Sequence, residues 1–180
     1  MDIHELVLFY IRMAEEQFGP MCSDWKFRGV EVNDMGPHLR YYPEEREVAI
    51  SISEKVIGDE FQLHFQLSHE VCHLLYPTMS LNGQFEKTTV LNEGVSTYFS
   101  ILAVSQFDAQ QIALSSLQAN NLNYFNALSA VSILLQKDQY AIKKLRAIEP
   151  QLNRIKTEHF LASQLDVPSE LVCELIAPFE

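Results

Sequence analysis

Basic residues are scarce in this chain of 180 residues: 13 lysines and arginines stand against 24 aspartates and glutamates, for a formal net charge of −11. A protein that grips a nucleic-acid backbone needs a cationic face, so nucleic acid is excluded as a partner. An anionic membrane surface is excluded on the same ground. Cysteine is sparse too. Cys22, Cys72 and Cys173 are odd in number and widely spaced, which leaves neither a disulfide framework nor a paired-cysteine metal knuckle. They read as free thiols, packed as small hydrophobes in a reducing compartment. No apolar run approaches the roughly 20 residues of a membrane span, and the first residues carry Asp2 but no basic leader segment. Repeats and low-complexity tracts are missing as well. The expectation is a soluble, cytoplasmic protein.

What is present is enough to build a core, since 47% of the residues are hydrophobic. Ile3, Leu6, Val7, Tyr10, Ala14 and Phe18 share one helical face, and Gly19-Pro20 ends that helix. WKFRGVEV, HLRYY and VAISIS then read as three strands separated by turn clusters, forming a small, mostly antiparallel sheet. Asp59 with Gln62 predicts a capped helix over about 60–76, and Thr88 or Thr89 caps another that runs to about 106. Beyond that the patterns are all helical, roughly 109–119, 121–136, 138–148, 151–165 and 169–177. The fold class expected is α+β, with a mixed unit over 1–107 followed by an all-helical unit over 108–180.

The chemistry concentrates in HEVCH, residues 69–73. Histidines at i and i+4 on a helix share a face, about 6 Å apart along the axis, so both rings can reach one ion. Glu70 sits about 100° around the helix, flanking such an ion rather than binding it, where a base can take a proton from an activated water. Leu63, Leu67, Val71 and Leu74 form the apolar stripe on the other side. His64 reads as a core or partly exposed histidine and Cys72 as packing.

A catalytic zinc site takes three protein ligands and keeps one position open. Glu86, Glu93 and His159 are the downstream candidates. Glu93 lies twenty positions after His73, on a helix that a ten-residue loop lets fold back antiparallel, and it stands off the stripe of Leu91, Val95, Tyr98 and Leu102.

HEVCH followed by LNEGVSTYFS resembles the gluzincin metallopeptidases over residues 69–103. The spacing is similar to that of thermolysin, and the wording around Glu93 to the aminopeptidase N and leukotriene A4 hydrolase family. The resemblance implies a zincin-like fold, a helical subdomain closing the cleft, zinc bound by His69, His73 and Glu93, and Glu70 as general base. It implies a peptide or protein substrate lying along a sheet edge that corresponds in position to VAISIS. A second oxyanion donor would come from the helical half, where Tyr124, Tyr140 and His159 are open choices. The GxMEN-like stretch that holds a free amino terminus in the aminopeptidases is missing, which favours an endopeptidase or a narrowly specific protease. Thr97 stands where the thermolysin-like enzymes carry an acid. A non-catalytic, zinc-stabilised binding module is the alternative; a metal-free interaction protein with an acidic surface is a third reading.

Overall fold

A computed structural model describes residues 2–180. Helix α1 (Ile3–Phe18) opens on a capping box in which the Asp2 carboxylate accepts from the Glu5 amide at 2.8 Å and Glu5 accepts in return from Asp2. It buries Leu6, Val7, Tyr10, Ile11, Ala14 and Phe18, the face the periodicity predicts. It stops at Gly19, whose φ of 95° is a conformation that side chains other than glycine rarely adopt.

The three strands are β1 (Lys26–Asn33), β2 (His38–Tyr42) and β3 (Glu47–Ser53). Their order corrects the expectation of a mostly antiparallel sheet. The sheet is mixed, ordered β1-β3-β2, with β3 parallel to β1 and antiparallel to β2. The cause is burial: Val48, Ala49, Ile50, Ser51 and Ile52 are all buried, so β3 is covered on both faces and takes the centre. The half-exposed β1 and β2 take the edges. VAISIS is therefore not an edge, and no open side of it remains for a substrate.

Helices α2 (Glu60–Leu75) and α3 (Val90–Ala103) follow, capped by the Asp59 carboxylate on the Gln62 amide at 3.0 Å and by Thr89 Oγ1 on the Asn92 amide at 3.3 Å. A short 3₁₀ turn over 104–107 leads into α4 (Gln110–Asn120), α5 (Leu122–Lys137), α6 (Ala141–Ile148), α7 (Thr157–Ala162) and α8 (Ser169–Ile176). The helix expected over 151–165 is broken. Ile155 and Lys156 are extended, which lets Ile155 reach the core and leaves a 3₁₀ turn on one side and the short α7 on the other. The core draws on side chains from Leu6 to Leu175 and so runs across residue 107; α3 packs on both α2 and α5. No helix among the described residues is long and apolar enough to cross a membrane.

Buried Arg146 ties the helix ends together. Its guanidinium donates to the carbonyls of Phe18 (3.0 Å), Gly19 (2.8 Å), Pro20 (2.6 Å), Leu75 (3.0 Å) and Pro150 (3.1 Å). The carbonyls at the ends of α1 and α2 would otherwise lack partners.

Candidate metal centre

Helix α2 buries Leu67, Val71, Leu74 and Leu75 and turns His69 and His73 to a cleft. Glu93, in the first turn of α3, enters from the facing helix, where the positive helix end favours a carboxylate. The three groups converge. His69 Nε2 and His73 Nε2 lie 3.1 Å apart, and each is 3.4 Å from Glu93 Oε2. A tetrahedral ion with bonds of about 2.0–2.1 Å holds its ligand atoms about 3.3 Å apart, so these separations fit three corners of such a site. These residues could hold a metal ion.

The electrostatics agree. Burial lowers the proton affinity of His73, but Glu93, Glu70 and the Asn92 side chain outweigh it and bring its pKa to about 9. Burial would raise the pKa of Glu93, yet the two imidazoles hold it well below the usual carboxylate range. The Asn92 carboxamide, fully buried beside His73, makes no hydrogen bond of ordinary geometry among the described residues. Glu70 is only 4% exposed, and burial pushes its carboxyl pKa up against the opposing pull of His73 and His69.

The other ligand candidates are engaged elsewhere. The Glu86 carboxylate accepts from Arg154 Nε at 2.9 Å and from Asn153 at 2.7 Å. His159 Nδ1 accepts from the Lys156 amide at 3.1 Å. His64 Nδ1 lies 2.5 Å from the Tyr10 hydroxyl, and Cys72 is fully buried. Thr97 Oγ1 donates to the Glu93 carbonyl at 2.8 Å instead of serving a histidine.

Of the three oxyanion candidates, the structure brings only Tyr124 to the cleft. Its ring stands edge-on to His69 with centroids 5.8 Å apart, and burial raises its phenol pKa to about 12. Tyr140 is 58% exposed and lies with Gln17 and Tyr98 around a separate cavity. Sequence reasoning missed the contribution of β2. This edge strand, not β3, borders the cleft through His38, Leu39 and Tyr41. His38 Nδ1 is 2.8 Å from the Gly36 carbonyl, which can only accept; the proton is therefore on Nδ1 and Nε2 is bare. No spacing motif marks His38; its place after the Gly36-Pro37 turn was the only local signal.

The cleft consists of two adjoining cavities, about 260 and 320 Å³, that share Pro37, His69, Glu70 and Tyr124. Comparison with protein-family models, with curated proteins and with solved structures gives no match.

Proposed function

We propose that this chain is a zinc-dependent peptidase of the gluzincin type, acting as an endopeptidase or a narrowly specific protease. One observation carries the reading: His69, His73 and Glu93 set three ligand atoms 3.1–3.4 Å apart, with a buried carboxylate, Glu70, lining the same cavity. Two imidazoles and one carboxylate make a donor set that suits zinc. Such an ion supplies Lewis acidity, which acidifies water and polarises a carbonyl.

The chain's own residues do the rest. Glu70 has a raised proton affinity, which suits a group that takes a proton from water in the cleft and hands it to the leaving amine. Tyr124 keeps its phenol proton at neutral pH and so has a hydrogen bond to offer a developing oxyanion. The outer edge of β2 offers backbone groups to an extended peptide, and the side chains of His38, Leu39 and Tyr41 border its path.

The test is metal content by mass spectrometry on wild type and Glu93→Ala, followed by peptide-library hydrolysis by wild type and Glu70→Gln. Stoichiometric zinc that Glu93→Ala loses, with hydrolysis that Glu70→Gln abolishes while keeping its zinc, is the expected result. Absence of zinc after reconstitution overturns the reading; zinc without hydrolysis leaves a binding module.

A further inference from the structure

The second cavity of the cleft is not needed for the proton transfers. Gln62 and Gln66 on α2, Thr97 on α3 and Asn121 before α5 supply its polar lining; Phe65 and Leu117 supply apolar walls. Gln62, Gln66, His69 and His73 fall at i, i+4, i+7 and i+11, so the two glutamines continue the histidine face of α2. At about 320 Å³ the cavity is at the small end of ligand pockets, with room for a side chain rather than a folded element.

Its polar groups point to one chemistry. Gln66 Oε1 is buried and has no hydrogen-bond partner among the described residues. Buried acceptors are nearly always satisfied, so this one calls for a donor from outside the chain. No lysine or arginine lines the cavity, so a carboxylate side chain would enter without a counter-charge. The only carboxylate in the lining is Glu70, and a cationic side chain would pair with the group that has to receive the proton. A carboxamide carries both a donor and an acceptor, and its methylenes suit Phe65 and Leu117.

We infer that this cavity is a subsite that selects an uncharged carboxamide side chain, glutamine or asparagine, in the substrate; the inference rests on the peptidase reading above. It is tested by titrating the full chain with N-acetyl-glutaminamide, N-acetyl-leucinamide and N-acetyl-lysinamide while following side-chain amide signals by NMR. The glutamine probe is expected to shift the Gln66 amide saturably and to bind about tenfold more tightly than the leucine probe, as one well-made hydrogen bond allows. Gln66→Met should bring the two probes to parity. Asn121→Leu, at an exposed position that the fold tolerates, should narrow the gap. Leucine binding as tightly as glutamine, or no saturable shift at Gln66, overturns the inference. Selective glutamine binding by a protein that hydrolyses no peptide supports the subsite and sinks the peptidase reading alone. Hydrolysis with no preference for glutamine or asparagine overturns the subsite alone.

Discussion

Gly94 of α3 lies so close to Ala127 of α5 that a methyl group on it would overlap the Ala127 carbonyl oxygen and stand 2.6 Å from Val131 Cγ2. The contact sits one residue after Glu93 and three before Ala127 comes Tyr124, so one close helix approach sets a metal-site carboxylate and the cleft tyrosine in relation to each other. Alanine is a better helix former than glycine by about 1 kcal/mol. The overlap here is with backbone, which cannot swing aside, and overpacking of this kind costs about 1–3 kcal/mol. Gly94→Ala should therefore lower the urea midpoint despite the propensity gain. A stabilised variant would show that α3 and α5 separate easily.

The parts of this arrangement that were legible in the sequence are local. The i, i+4 histidines, the glutamate beside them and the capped starts of α2 and α3 depend on neighbours within a turn or two, and the geometry follows the spacing. The sheet order was not legible. Ala49 and Ser51 are small enough to be buried as a second face of β3, yet in a pattern they read as its solvent side. With β3 in the centre, the cleft edge passes to β2, and His38 arrives at the site through tertiary structure alone. The break at Ile155 has the same origin, since a core contact overrides helical periodicity there.

Arg146 predicts a large stability loss. Arg146→Met would strip partners from five carbonyls, among them those of Phe18, Gly19 and Leu75. Buried groups left unsatisfied in this way cost about 1–3 kcal/mol each before relaxation, so a loss of at least about 3 kcal/mol is expected by chemical denaturation. Arg146→Lys should rescue little of it, because an ammonium has three donors and not a five-donor fork. A near-neutral Arg146→Met would mean that water replaces the guanidinium.

The metal-free protein should become less stable as pH rises. His73 has its pKa raised from 6.5 to about 9, so its contribution is full below 6.5 and is lost as pH climbs through about 9. Glu70, also raised, acts in the same direction from its ordinary 4.5 upward. Glu93, lowered, contributes above 4.5 and loses that contribution only in acid. His73 and Glu93 report one interaction from two sides, so their shifts are not summed. Zinc needs the deprotonated imidazole, so its affinity should rise over the interval in which the metal-free protein weakens. Urea midpoints with and without zinc, measured across that interval, check both slopes. A metal-free midpoint that holds flat to pH 9 would contradict the His73–Glu93 coupling.

Tyr124 separates a catalytic cleft from a binding one. Tyr124→Phe removes only the hydroxyl and keeps the ring packed against His69 at 5.8 Å and Phe179 at 4.8 Å. Zinc content and melting temperature should therefore stay at wild-type values. If the phenol donates to the oxyanion, it acts in the transition state and not in the ground state. The loss should then fall on kcat, by about 10²–10³, with KM little changed. A change confined to KM would make Tyr124 a substrate contact. An unchanged kcat would move the search for the second donor to His38. Its bare Nε2 would have to gain a proton to serve, so activity would then fall with rising pH, a profile that Tyr124 would not produce below about 12.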